Sequence, residues 1–180
     1  TAGRALVFLG GPGGVRAVDL DSGVEAELPC DGCDGSGEGE VWFVDAGTDR
    51  IIFLNVFGDS TWALVYDFDP IELSLGSLVG RIDATHQPGN SHLAPDGTTA
   101  VAALFPELNE PARSVGMFDA ESGEPLRTWT LAGDPTVRFV DYDGRWIVAE
   151  LSDATTWVID VTAPGDDGRI VDTPARIRFG

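Results

Sequence analysis

The chain has 180 residues, 43% of them hydrophobic, with 30 acidic against 11 basic side chains and a formal net charge of −19. That length and apolar content suffice for one buried core or for an array of repeats, whereas the charge argues against nucleic-acid binding, which needs clustered cations to neutralise phosphate. No apolar run reaches the roughly 18 residues of a bilayer-spanning helix.

The first predicted elements are "TAGRALVFLG", a turn at Gly3 leading into an apolar run, and "VRAVDLDSG", a short strand ending at Asp19 before a turn. Val, Ile, Phe, Trp and Thr recur in such runs, and Gly, Asp, Asn and Pro bound them, which predicts strands joined by tight turns. No stretch of ten or more residues carries a helical stripe.

Next comes "PCDGCDGSGEGE", holding the only two cysteines as Cys30-x-x-Cys33. A structural zinc needs four ligands and no second pair exists. The Gly- and Asp-rich setting also lacks the strand-then-helix context of a redox dithiol. The pair reads as a local disulfide or two free thiols, and a disulfide would suit an exported protein. Asp31, Asp34, Glu38 and Glu40 lie close together in this loop, a calcium candidate because calcium takes several oxygen ligands. The spacing is not that of an EF-hand, and the competing reading is a solvated acidic loop.

The same two-part pattern then returns three times. "DAGTDRIIFLNVF" (45–57), "APDGTTAVAALF" (94–105) and "DYDGRWIVAEL" (141–151) are turns opening into strands. "ALVYDFDPIE", "VGMFDAESG" and "TWVIDVTAPG" are strands ending at Asp67, Asp119 and Asp160. Counted from Asp19, the Asp-to-Asp intervals are 48, 52 and 41 residues. Four strands per unit and a period near 45 predict an all-β chain, a β-propeller of four four-stranded antiparallel blades. The blades fall roughly at residues 1–30 plus 175–180, 40–83, 90–132 and 135–173, within one domain spanning 1–180.

"SHLAPDGTTAVAALF" followed by "VGMFDAESGEPLRTWTL" resembles the repeats of YVTN-type and WD-repeat-like propellers. In such blades a Pro-Asp-Gly turn joins the first two strands, matched by Pro95, Asp96 and Gly97, and an Asp-x-x-x-Gly segment ends the third, matched by Asp119 and Gly123. Asp19 with Gly23 repeats the second element. Blade two departs from both with "DAGTDR" and "DFDPIELSLG", and the Trp-Asp dipeptide of true WD repeats is absent. The resemblance implies a fold and no activity, because propellers host many unrelated functions.

Both ends of the chain look like halves of one repeat. "PARIRFG" (174–180) joined to "TAGRALVFLG" reproduces the pattern of "PTVRFVDYDGRWIVAEL" (135–151), so the C-terminal strand is expected to pair with blade one and remove an exposed edge. Two alternatives stand beside this self-closed ring. Two chains combine as four plus four blades, or these residues belong to a longer chain. The oligomeric expectation is therefore a monomer or a homodimer.

Among chemistry-bearing residues, Asp19, Asp67, Asp119 and Asp160 are expected to cap turns. His92 precedes the Pro-Asp-Gly turn on the innermost strand of blade three and is a channel candidate for ligating or binding, with Asp141 as a possible companion. His86 is the other histidine. The five Trp residues are expected to pack between blades. No nucleophile elbow and no phosphate-cradling loop occurs. The function expected is a non-enzymatic module that recognises a protein or other ligand through loops on one face, without a required cofactor. The alternative is a metal-dependent hydrolase or lactonase-like propeller with a channel site. Absent Lys, paired Cys, an acidic surface and no initiator Met point towards a secreted or cell-surface bacterial or archaeal protein.

Overall fold

The computed structural model describes residues 5–11, 14–29, 40–57, 60–83, 86, 88–107 and 110–172. The strands fall where β-branched and aromatic runs were bounded by turn residues. Blade one contributes β1 (Leu6–Gly11), β2 (Gly14–Asp19) and β3 (Glu25–Leu28) in that order. Blade two is β4 (Glu40–Ala46), β5 (Arg50–Phe57), β6 (Ser60–Asp69) and β7 (Ser74–Ile82). Blade three is β8 (Pro88–Leu93), β9 (Thr99–Leu104), β10 (Ser114–Asp119) and β11 (Pro125–Thr130). Blade four is β12 (Val137–Tyr142), β13 (Trp146–Leu151), β14 (Thr156–Asp160) and β15 (Arg169–Val171). Among the described residues, every strand pairs antiparallel with a sequence neighbour, and one isolated bridge, Ala112 to Val137, links blades three and four. The chain is an all-β, four-blade β-propeller. Blade one shows three strands among the described residues, and the pairing expected of residues 175–180 lies outside them, as do Cys30 and Cys33.

Turn chemistry explains the sharpness of the blades. Asp19 and Asp119 each accept two backbone N–H bonds on one carboxylate oxygen, from Asp21 and Ser22 and from Glu121 and Ser122. Their carbonyls accept the N–H of Gly23 and Gly123, which sit at φ +71° and +73° where a side chain is disfavoured. Blade two builds the same turn two residues later. Asp69 caps Ile71 and Glu72, and Leu73 occupies the left-handed position at φ 51°. The cap expected at Asp67 is therefore supplied by Asp69. Asp67 instead accepts a bond from Ser77 Oγ at 3.0 Å and faces Arg50 at 4.0 Å. The cause is the extended strand β6, which carries the chain past Asp67 before it turns.

Alternate faces of each sheet are apolar and pack against the neighbouring blades. Ile51, Phe53, Tyr66 and Leu28 fill the seam between blades one and two. Ile52, Val65, Ile82 and Phe118 fill that between two and three. Val115, Ile147, Leu151 and Ile159 fill that between three and four, together with Trp129 and Trp157. Those two indoles also donate to the Asp166 and Asp167 carbonyls at 2.9 and 3.2 Å, so burial leaves neither Nε1 unsatisfied. Trp62 and Trp146 lie under Arg81 and Arg145 at 5.1 and 4.9 Å.

Candidate functional site

The innermost strands β4, β8 and β12 end in hairpins on one face, and the hairpin register puts three polar residues at one level. Asp45 pairs with Ile52, His92 with Val101 and Asp141 with Val148. In each blade this is the last pair but one before the turn. Residues at one register on successive inner strands converge, and these three do. His92 Nδ1 lies 3.4 Å from Asp45 Oδ2 and 3.8 Å from Asp141 Oδ1. His92 and Asp141 are buried, and Asp45 is half-buried.

Local contacts hold this arrangement. Asp45 Oδ2 accepts the Leu93 backbone N–H at 2.8 Å, joining blade two to blade three. Asp141 Oδ1 accepts the N–H of Tyr142 at 2.9 Å. The His92 ring stands edge-on to Phe139 at 5.3 Å. Asn90 Nδ2 donates to the Val140 carbonyl at 3.1 Å, joining blade three to blade four. Above them opens a pocket of about 360 Å³ bordered by Thr48, Pro95 and Asp143. Thr48 Oγ1 donates to the Pro95 carbonyl at 2.7 Å, tying two of the rim turns together. Burial pushes the Tyr142 phenol above its usual range, so it stays a donor to the Gly144 carbonyl at 3.1 Å. Two carboxyl groups thus stand beside one imidazole on the pocket floor.

The same face gathers the other turn carboxylates, because in an antiparallel blade the first and third turns lie at one end. Asp19, Asp69, Asp119 and Asp160 cap the outer turns, and Asp96 and Asp143 cap inner ones. Among the described residues, two of its cations are paired within it. Arg50 reaches Asp67 and Glu121 at 4.0 and 3.9 Å, and Arg145 reaches Asp160 at 2.9 Å.

The structure thus unites His92 with Asp141, both singled out in the sequence, and adds Asp45, which sequence reading left in a turn. Its signal was present, since "VWFVD" (41–45) and "VRFVD" (137–141) share four of five residues and make Asp45 the counterpart of Asp141. Among the acidic-loop candidates, Asp31, Asp34 and Glu38 lie outside the described residues, and Glu40 is described only as the first residue of β4. His86 stands against Phe118 at 5.4 Å, away from this site. Among the described residues, no three His, Cys, Asp or Glu side chains are grouped so as to hold a metal ion, and no helix is long and apolar enough to cross a membrane.

No family model matches the chain, and no curated protein matches it in sequence. Solved structures share its fold. The WD40 β-propeller domain of Doa1 superposes with a TM-score of 0.61 at 13% identity, over 93% of this chain and 51% of that one. Kuenenia stuttgartiensis hydrazine synthase superposes with a TM-score of 0.56 at 18% identity, over 88% and 43%. The chain spans about half the length of these structures, and identity at this level establishes the fold alone.

Proposed function

We propose that this chain is a propeller interaction module that binds a cationic protein segment on the face carrying Asp45, His92 and Asp141. The observation that carries this reading is the pocket lined by Asp45, Asp141 and Asp143, on the face where the turn carboxylates of the blades lie and where Arg50 and Arg145 are paired with carboxylates. Such a surface raises the local concentration of a basic ligand and speeds its encounter. An Arg or Lys side chain entering the pocket meets the floor carboxylates, where its charge is screened less than at the rim.

Titrating an oligo-arginine peptide and an oligo-glutamate peptide of equal length, at low and high salt, tests the proposal. Binding of the basic peptide alone, weakening steeply with salt and further in Asp141→Asn, is expected. Equal binding of both peptides, or salt-insensitive binding, overturns it. The hydrolase reading takes its place if the purified protein holds stoichiometric calcium or zinc and cleaves a lactone or ester. The acidic surface also fits a secreted or cell-surface setting, where basic partners are met outside the cell.

A further inference from the structure

We propose that Tyr142 is a positioning residue for the pocket, its buried hydroxyl fixing the blade-four turn against blade three so that Asp141 and Asp143 meet a cationic side chain together. This role rests on the reading of the pocket as the site for a basic segment. Three inner hairpin turns border that pocket, through Gly47 and Thr48 of blade two, Pro95 of blade three and Asp143 of blade four. On one side the blade-three turn is held by several bonds. The Pro95 carbonyl accepts both the backbone N–H and the hydroxyl of Thr48, at 3.0 and 2.7 Å. The Gly97 carbonyl accepts Arg50 Nη1 at 3.0 Å.

On the other side the tie runs through the Tyr142 phenol oxygen. It lies 3.1 Å from the Gly144 carbonyl of its own turn and 3.1 Å from Thr99 Oγ1 of blade three. A phenol has one proton to give. Donated to the Gly144 carbonyl, it leaves the phenol oxygen to accept the Thr99 hydroxyl, so both bonds form at once. The Met117 sulfur, at 4.0 Å, is the weaker acceptor. Around this bridge the Gly144 turn faces blade three across apolar atoms, with Pro95 Cδ 3.5 Å from where a Gly144 Cβ would stand.

Packing alone does not call for a phenol at this position. Tyr142 pairs with Ile147, and the equivalent pairs are Ala46 with Ile51 and Leu93 with Ala100. Both equivalents are aliphatic, and Leu93 is buried as Tyr142 is. A buried hydroxyl costs free energy unless it is bonded, and here its bonds join the two blades at the pocket. Asp143 Oδ1 in turn accepts the N–H groups of Arg145 and Trp146 at 2.8 and 2.6 Å. Tyr142 thus anchors the middle of the turn that begins at a pocket carboxyl group.

The test compares the wild type with Tyr142→Phe, Thr99→Val and the double variant, by titration with an oligo-arginine peptide and by amide hydrogen exchange. Phe keeps the ring in place, and Thr99 stands outside the pocket lining. Each single variant should raise the peptide Kd on the order of fivefold. The double variant should lose no more than the worse single one, because both substitutions break one bridge. Exchange at the Arg145 and Trp146 amides should quicken in Tyr142→Phe. A hydroxyl that is only structural would lower the melting temperature and leave the Kd of the folded protein unchanged. That result, additive losses in the double variant, or unaltered exchange overturns the proposal and leaves the binding reading standing. A wild type that does not bind the peptide removes the binding reading itself, and this role with it.

Discussion

His92 and Asp45 meet across a blade boundary: Nδ1 of the histidine lies 3.4 Å from Oδ2 of the carboxylate, the same oxygen that accepts the Leu93 backbone N–H at 2.8 Å. One side chain therefore both shapes the pocket floor and ties β4 to β8. Asp45→Ala should lose about 1–3 kcal/mol of stability, because the buried Leu93 amide is left without its acceptor. Asp45→Asn keeps an oxygen for that amide and should lose less, while still weakening binding of a basic peptide. Urea unfolding of both variants checks the order, and equal stability of all three proteins would mean the bond holds nothing in place.

Leu73 yields a prediction with an unusual sign. It stands at φ 51° where Gly23 and Gly123 stand in blades one and three, yet its side chain is buried in the seam between blades one and two. Leu73→Ala loses the buried side chain, about 2–5 kcal/mol, and keeps the left-handed strain. Leu73→Gly loses the same packing and relieves strain of roughly 1 kcal/mol. Gly should therefore be the more stable of the two replacements. Thermal melts that place Ala above Gly would show that the backbone here is unstrained.

This turn also shows how far the sequence could be read. The Asp-x-x-x-Gly pattern identified the turns at Asp19 and Asp119 because Gly at positive φ leaves a visible mark. Blade two hid the same geometry behind a leucine, and only the extra length of β6 moved the cap from Asp67 to Asp69. The polar cluster was half visible for a related reason. Asp45 and Asp141 share a motif, but the turn of blade three, Ala94 to Thr99, is two residues longer than Gly47 to Arg50 and Asp143 to Trp146. Counting from the turn therefore sets His92 out of line with them, and only the pairing His92 to Val101 restores the level.

Gly123 and Gly23 share a turn type and a φ within 2° of each other, yet they should respond differently to Ala. A Cβ on Gly23 meets nothing within 4 Å, so Gly23→Ala carries only the conformational cost, about 1 kcal/mol. A Cβ on Gly123 would collide with the Arg81 carbonyl of blade two, and one on Gly80 with the Ala120 carbonyl of blade three. Both obstacles are backbone, which cannot rotate away, so each replacement adds an overpacking cost of about 1–3 kcal/mol. Gly123→Ala, which carries both costs, should melt several degrees below Gly23→Ala, whereas Gly80→Ala, without a positive φ, carries the overpacking cost alone and should fall between them. Coincident melts would show that the seam between blades two and three yields easily.

Acid should expose the contribution of the ion pair between Arg145 and Asp160. The hydrogen bond from Arg145, supported by those from Thr162, holds the Asp160 carboxyl down at about 2 against its ordinary 3.8. Bonds from Ser122 and from Thr98 likewise hold Asp119 and Asp96 below their usual range. A carboxyl depressed in the folded state contributes stability that is fully present above its unfolded value and is lost as pH falls through the folded one. For Asp160 that window runs from about 4 down to about 2. The net charge of −19 acts in the opposite direction, since protonating other carboxylates relieves repulsion on the way down. The wild-type curve alone therefore mixes two effects, and the informative quantity is its difference from Asp160→Asn. That difference should be constant above pH 4 and close between 4 and 2. It should also shrink in high salt, because the Arg145 side chain is largely exposed. A difference that persists unchanged at pH 2 would mean Asp160 acts through its turn cap to Thr162 rather than through its charge.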